Sequence, residues 1–462
     1  MKKRFFRNIG FFCSLFIALP FCGMAEPIVI LGSMVPSFLG KPIEHLRCVD
    51  HQGKAIPFQI DEVLPDDDYV CSGGKEPNRG NGVLDTSDEI VFLWEDADTL
   101  DSLNANSVDS QLPSTGGSAA RKRIAIGHAT QTRYVYLVDD SSVALSPVRY
   151  ISFNDTNGTV ETPYFHATFE RDRFHFVKAG VKDFTKNAYF DMTNELRVKI
   201  RFHALWGLVP LSYDEEDIFC SVKRYKVGPI RLIRRGDFYL KLGLWFKGSH
   251  AAVNQLCYPD MVKVPVYVHL PMHFSTLFSQ AYIEMTPVLS KASDKFSFRV
   301  PQYDVAFQCG GKERVDTLVP INPNHGFMTV ENGAIGYGWL LEADMAPAYL
   351  GGSGFVFCKP TNRKGIGHCG FRLSVCDLPK GRYSITNWVV FSHSGAAAFA
   401  LDNAAECLKT MASISTSPAK PDKSPYAGII NAGRVYNSAT ETNPTAGGYV
   451  NQLTKVMKFK KW

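Results

Sequence analysis

The residues whose spacing most suggests chemistry lie in the acidic turn at residues 79–97, RGNGVLDTSDEIVFLWEDA. If Gly82 takes the central glycine position of a twelve-residue calcium loop, oxygen ligands follow at regular positions. These ligands are Asn81, the backbone carbonyl of Val83, Asp85 and Asp88. The first two ligand positions fall on Pro77 and Arg79, which have no side-chain oxygen. The sequence therefore favours a metal-free turn with positive φ at Asn81-Gly82, and calcium binding and catalytic carboxylates are the alternatives.

Residues 77–88 resemble the calcium loops of dockerin-type and other bacterial proteins, as a degenerate EF-hand-like loop that closes on Asp rather than Glu. A wider stretch, residues 57–96, contains PFQIDEV followed by NGVLDTSDEIVF. This pairing resembles one found in exported bacterial β-proteins of unassigned function. The resemblance implies an exported β-protein and brings no activity with it. Calcium is the one cofactor that this comparison suggests, and we otherwise expect none.

Two regions carry opposite charge. The acidic segment, residues 61–101, has thirteen acidic and two basic residues, and the basic region, residues 197–247, has eleven basic and five acidic ones. Aromatic residues are interleaved with the basic ones, and arginine forks with flat rings suit an anionic glycan. The residues predicted to bind it are Arg197, Lys199, Arg201, Tyr239 and Trp245. The alternative is a solvated sheet face, or one docked against the acidic segment.

The elements that must position these residues are strands. In LRVKIRFHA, residues 196–204, apolar and polar residues alternate, which is typical of an antiparallel sheet with one wet face. Similar alternation recurs between Gly and Pro turns, and helical periodicity is scarce, with one candidate near Leu401. We therefore predict a mainly β fold of antiparallel β-sandwich units with little helix.

The composition divides the chain into four parts. Residues 1–25 have a basic start, an apolar stretch and a Gly-Met-Ala end, which predict a removable export signal. A small β domain with the acidic loop is predicted at 26–147, including a Ser/Asn/Gly-rich loop or linker at 102–120. A larger β-sandwich domain follows at 148–412, and residues 413–462 are predicted to be a disordered tail.

Charge and cysteine content bear on the binding partners and the cellular compartment of the protein. Without the four positive residues of the signal, the formal charge of +5 falls to +1, which gives no general argument for nucleic-acid binding. Nine cysteines remain after the signal, so disulfides are expected in an oxidising compartment, with Cys48–Cys71 the most plausible local bridge. No later apolar run has the length of a transmembrane helix, so a secreted or periplasmic protein is expected.

Three functional hypotheses follow. The first is an exported β-sandwich protein that binds an anionic polysaccharide or another cell-envelope component. The second is a polysaccharide-active enzyme, a hydrolase or lyase, whose catalytic residues no local motif identifies. The third is an outer-membrane β-barrel protein, because the chain ends on Trp462, although Lys458 and Lys460 would then face lipid.

Overall fold

The computed structural model describes residues 27–65, 68–99, 121–128, 131–170, 173–204, 207–214, 217–242, 246–270, 273–276, 278–300, 303, 305–311, 316–320, 327–343, 349, 351–358, 367–392 and 413–417. The prediction of a mainly β fold with antiparallel sheets and little helix is confirmed. The helical elements of the described residues are short 3-10 turns at Gly32–Met34, Pro36–Phe38, Ile43–His45, Trp94–Asp96, Phe274–Thr276 and Lys291–Lys295.

The strands are numbered here in chain order. Those of the N-terminal part are β1 (Pro27–Leu31), β2 (Leu46–Val49), β3 (Gln59–Asp61), β4 (Gly73–Gly74), β5 (Glu89–Leu93), β6 (Arg121–His128) and β7 (Gln131–Asp139). The next group is β8 (Ser152–Asn154), β9 (Thr159–Glu161), β10 (Phe165–Phe169), β11 (Phe176–Asp183), β12 (Ala188–Ala204), β13 (Val209–Tyr213), β14 (Ile218–Val227), β15 (Leu232–Leu242), β16 (Phe246–Cys257), β17 (Met261–Leu270) and β18 (Phe278–Leu289). The last are β19 (Ser297–Val300), β20 (Val305–Gln308), β21 (Asp316–Pro320), β22 (Phe327–Glu331), β23 (Gly336–Ala343), β24 (Gly354–Cys358), β25 (His368–Ser374), β26 (Gly381–Ser392) and β27 (Ser413–Ser417).

Two large antiparallel sheets pack face to face. The first, called the outer sheet, has the order β21-β24-β25-β18-β12-β11-β10-β9-β8, with β13 paired to β12. The second, called the central sheet, has the order β20-β19-β22-β23-β26-β17-β16-β15-β14-β4. Aromatic contacts join them across the core: Phe165 stacks on Phe391 at 4.2 Å between ring centroids, and Trp339 meets Phe371 edge-on at 5.3 Å.

A smaller N-terminal unit covers the other face of the central sheet. It contains a three-stranded sheet, β1-β5-β3, and a four-stranded one, β2-β7-β6-β27. Strand β5 is buried on both faces, as its two-sided apolar sequence predicts. Ile90 and Phe92 pack in the core of the N-terminal unit, whereas Val91 and Leu93 pack against the central sheet beside Trp388. The central sheet is therefore the middle of three layers.

The expected Cys48–Cys71 bridge is not formed. The two thiols are buried in different places, because Cys48 packs in the core of the N-terminal unit and Cys71 packs between that unit and the central sheet. All eight cysteines that the structure describes are free thiols. The disulfide prediction is corrected for these residues, which are Cys48, Cys71, Cys220, Cys257, Cys309, Cys358, Cys369 and Cys376.

Several sequence predictions fall on residues outside the described ranges. They concern the export signal, the loop at 102–120, the helix near Leu401 and residues 418–462 of the predicted tail. The first five residues of that tail, Ser413–Ser417, form strand β27 against β6. Within the described ranges, no helix is long and apolar enough to span a lipid bilayer.

Candidate functional site

The acidic turn uses its side-chain oxygens to hold its own backbone. Gly82 has a φ of 73°, as the Asn-Gly pair predicts. Asn81 accepts from the N–H of Val83 at 3.0 Å and donates to Asp85 at 2.7 Å. Asp88, which is 1% exposed, accepts from the N–H groups of Asp85 and Val63 at 2.7 and 2.8 Å. Burial raises the pKa of Asp88, with backbone hydrogen bonds acting in the opposite direction.

These contacts are those of a closed turn. Among the described residues, no group of three or more His, Cys, Asp or Glu side chains has a geometry that could hold a metal ion. The carboxylate of Asp88 already has a backbone donor on each oxygen, so a cation would compete with two hydrogen bonds. Calcium binding by Asn81, Val83, Asp85 and Asp88 stays a prediction.

The acidic segment docks against the basic strands β14 and β15. This docking is one of the two alternatives to glycan binding that the sequence offered for the basic region. Glu76 pairs with Lys223 at 2.5 Å. Asp68, 3% exposed, pairs with Arg224 and, at 3.1 Å, with Arg235. Much of the charge of the basic region is thus neutralised inside the protein and does not face a ligand.

The centre of this contact is a buried guanidinium. Arg231 is 1% exposed and pairs with Asp61 at 2.7 Å and with Glu89. It also donates to the hydroxyl of Tyr258 at 2.8 Å, and its guanidinium carbon lies 5.3 Å from the centroid of the Tyr69 ring. Every charge in the group has an opposite partner, which is the condition for stable burial.

The charges around Asp61 decide its protonation. Burial alone would raise its pKa, but the charges of Arg231 and Lys226 and hydrogen bonds from Lys226 and Gln59 outweigh burial. The pKa therefore lies below its ordinary value of 3.8. Asp61 remains ionised at neutral pH and holds the N-terminal unit on the central sheet.

A lysine extends this cluster along β17. The Lys263 ammonium lies 4.6 Å from the centroid of the Trp388 ring, and Trp388 donates to Glu342 at 3.0 Å. Burial lowers the pKa of Lys263, while the charges of Glu89 and Glu342 act in the opposite direction. The sequence did not predict this cluster, because Asp61 is the last residue of β3 and Glu89 the first residue of β5, and acidic residues at strand ends are typical of solvated turns.

The predicted glycan-binding residues do not all share one surface. Arg197, Lys199 and Arg201 lie on β12, and their side chains point to solvent because Leu196 and Phe202 of the same strand pack against the core. The solvent side of the outer sheet is called the outer face below. Tyr239 lies on β15 of the central sheet, and its side chain is outside the described part of the structure, as is Trp245.

Neighbouring strands complete the set of side chains on the outer face. Register places Lys199, Glu284 and Arg372 in one row across β12, β18 and β25, and Arg201, Tyr282 and Ser374 in the next. Arg372 binds one oxygen of Glu284 through two nitrogens, at 2.8 and 3.1 Å, and its guanidinium carbon lies 4.7 Å from the centroid of the Tyr282 ring. Arg197, beside the first row, pairs with Glu195 at 2.7 Å, and Arg201 of the second row pairs with Asp214 at 2.8 Å.

Further along the outer face, a histidine and a carboxylate meet. Nε2 of His166 on β10 lies 2.8 Å from Asp191 on β12, and the His166 ring stacks on Tyr189 with centroids 4.6 Å apart. The ammonium of Lys178 lies 2.7 Å from the other oxygen of Asp191. Neither the histidine nor its partners stood out in the sequence, because they lie on three separate strands.

Comparisons with known proteins identify no relative. No family model matches this chain, and no curated protein sequence matches it. Two solved structures are similar in shape: an alpha-mannosidase from Enterococcus faecalis V583 and a glycosyl hydrolase family 38 protein from Enterococcus faecalis. Each is 8% identical with a TM-score of 0.44 over 87% of this chain, which spans 45% and 47% of their lengths. A likeness this distant assigns no activity to the chain.

Proposed function

We propose that this chain is an exported β-sandwich protein that binds an anionic glycan of the cell envelope along the outer face. The apolar leader predicted at residues 1–25 supports the export part of the proposal. The binding part rests on the described side chains of β12, β18 and β25. They form a rigid sheet surface, which holds its polar groups in place before a ligand arrives.

The observation that carries the proposal is the sharing of Glu284 between two cations. The Glu284 side chain is 9% exposed and pairs with Arg372 at 2.8 Å and with Lys199 at 3.8 Å. One buried carboxylate therefore faces two cations, and the row keeps a net positive charge. The Lys199 side chain is 43% exposed, and its long separation from Glu284 leaves it available to a carboxylate or sulfate group.

The ring of Tyr282 supplies a flat surface beside these cations. Arg372 lies against this ring, so the guanidinium and the ring have a fixed relative position. A sugar unit packed on the tyrosine would bring its acidic group towards Lys199 or Arg372. Both the apolar face and the anionic group of a glycan would thus have a partner.

The test is binding of the full chain to polygalacturonate and, as an uncharged comparison, to dextran, measured by titration calorimetry. The variant carries Arg197→Ser, Lys199→Ser and Arg201→Ser together. Affinity for polygalacturonate should fall about tenfold or more, because one charge-assisted hydrogen bond contributes about 1.5–3 kcal/mol and 1.4 kcal/mol is tenfold.

A matched control removes the same charge elsewhere. Lys54, Lys75 and Arg79 are exposed and precede the first strand of the outer sheet, and their triple change to Ser should leave affinity nearly unchanged. Equal weakening by both triple variants would show that net charge alone drives binding and would contradict the proposal. Failure of the unaltered protein to bind polygalacturonate, alginate and chondroitin sulfate would also contradict it.

A further inference from the structure

A glycine makes the contact between His166 and Asp191 geometrically feasible. Strand β11 runs between β10 and β12, and the register places His166, Gly180 and Asp191 in one row across the three strands. A Cβ atom at Gly180 would lie 2.8 Å from Nε2 of His166. Because the middle position has no side chain, the imidazole reaches across β11 to the carboxylate, a span of two strand spacings or about 10 Å between backbones.

The contact orients the imidazole. With Nε2 donating to Asp191 at 2.8 Å, Nδ1 of the neutral ring is a proton acceptor. Within the described part of the chain, no hydrogen-bond partner occupies this Nδ1. Stacking on Tyr189 fixes the plane of the ring, and Tyr189 is itself held by donation to the carbonyl of Thr162 at 2.6 Å. The His166 side chain is 19% exposed, so a ligand on the outer face can touch it.

Two cations lie around this histidine. The Lys178 ammonium, on a side chain that is 49% exposed, contacts Asp191, and the Lys182 ammonium lies 4.9 Å from the centroid of the Tyr189 ring. Lys178 and Lys182 flank Gly180 on β11, one on each side of the row that contains His166. A basic nitrogen with an ammonium group on each side of its row suits a substrate that carries a carboxylate next to an acidic C–H bond. Uronate units of a glycan have this arrangement.

From this geometry we infer that the His166–Asp191 pair is the proton-abstracting site of a polysaccharide lyase that acts on uronate units. The inference rests on the proposed function, since it needs a uronate-containing glycan on the outer face. Asp191 and Arg197 both face the outer side of β12, although the register shifts twice between them. Six residues of strand span at most about 20 Å, so a bound polymer can contact both places.

The reaction is a β-elimination. Nδ1 of His166 takes the proton from the carbon that bears the carboxylate, and the electron pair of that C–H bond forms a double bond to the neighbouring carbon. The bond from that neighbouring carbon to the glycosidic oxygen breaks, and the leaving oxygen takes a proton from water. The imidazolium returns its proton to the resulting hydroxide. Lys178 and Lys182 stabilise the negative charge that develops on the carboxylate.

The test follows the ultraviolet absorbance of the unsaturated product while the full chain acts on polygalacturonate, alginate and chondroitin sulfate. His166→Gln should lower kcat about 10²-fold or more, because a positioned general base contributes about 10²–10⁴-fold. Polymer affinity should remain, which calorimetry on the same variant checks. His45→Gln changes an exposed histidine elsewhere and should leave the rate unchanged.

Asp191 acts as a positioning residue, so Asp191→Asn should lower kcat with little change in KM. Absence of the unsaturated product from a polymer that the unaltered protein binds would overturn the lyase inference and leave the binding proposal intact. Retention of full activity in His166→Gln would overturn it as well. Absence of binding to every uronate polymer would instead overturn the proposed function and, with it, the lyase.

Discussion

Arg231 and Asp61 form an ion pair of 2.7 Å in which each side chain is 1% exposed. The two residues belong to different units of the protein, since Asp61 ends strand β3 and Arg231 precedes strand β15 of the central sheet. Their contact, together with Glu89 and Lys226, joins the N-terminal unit to the sandwich. Loss of either partner leaves the other charge buried with less compensation.

The first prediction concerns the stability of this contact. Asp61→Asn should lower the free energy of unfolding by about 3–5 kcal/mol, because removing one partner of a buried ion pair leaves a buried charge. The control is Glu170→Gln, which breaks a pair with Arg173 whose side chains are 45% and 38% exposed and should cost about 0–1 kcal/mol. Denaturant unfolding measures both changes. A cost for Asp61→Asn as small as that of the control would show that the pair does not join the units.

The second prediction concerns pH. Asp61 has a pKa below its ordinary value of 3.8, so its ionised form stabilises the fold above that value. This contribution is lost as the pH falls from 3.8 through the lower pKa of the folded protein. Asp88 and Asp96 contribute to the pH dependence of stability with the opposite sign. Burial raises the pKa of each carboxyl, so protonation of these two residues at acid pH favours the folded protein.

The measurement compares denaturant unfolding at pH 7 and at pH 3 in the unaltered protein and in Asp61→Asn. The destabilising effect of the substitution should be smaller at the acid pH, because the unaltered protein has begun to lose the same contribution there. An equally large effect at both pH values would contradict the assignment of the shift to Asp61.

The third prediction concerns the acidic turn. Asp88→Ala removes the acceptor of two backbone N–H groups and should cost about 1–3 kcal/mol of unfolding free energy. Asp85→Ala, at an exposed carboxylate of the same turn, should cost less than about 1 kcal/mol. Thermal melting with chelator and with millimolar calcium completes the test. A rise of several degrees at micromolar calcium, abolished by Asp85→Ala, would establish the calcium loop instead of a metal-free turn.

The fourth prediction concerns the thiols. Burial raises the pKa of Cys71 to about 12, with the charges of Asp68 and Asp61 adding to the increase, and burial also raises the pKa of Cys48. Neither thiol should react with iodoacetamide in the native protein at pH 8, and both should react after unfolding without reductant. Mass spectrometry of the two peptides gives the answer. A Cys48–Cys71 disulfide in that sample would contradict the structure.

Sequence periodicity predicted the strands and the directions of their side chains. Alternation in β12 placed Leu196 towards the core and Arg197 towards solvent, and the two-sided apolar sequence of β5 predicted its burial on both faces. These features depend on the period of a strand alone, which neighbouring residues reveal.

Pairing between distant strands could not be predicted in the same way. Glu284 and Arg372 reach Lys199 only through the order of β12, β18 and β25, and His166 reaches Asp191 only because Gly180 lies between them. Cys48 and Cys71 lie closer to each other in sequence than His166 and Asp191 or Lys199 and Glu284 do, yet they are buried in different layers. Sequence separation is therefore a poor guide to spatial contact in a fold whose contacts join strands that are distant in the chain.

The salt dependence of polygalacturonate affinity tests the central claim, glycan binding on the outer face, most directly. The logarithm of affinity should fall with the logarithm of salt concentration, since exposed charges are screened by ions. The fall should be clearly less steep for the triple variant at Arg197, Lys199 and Arg201 than for the unaltered protein. It should be unchanged for the triple variant at Lys54, Lys75 and Arg79. Equal slopes for all three proteins would contradict the claim that these cations of β12 contact the glycan.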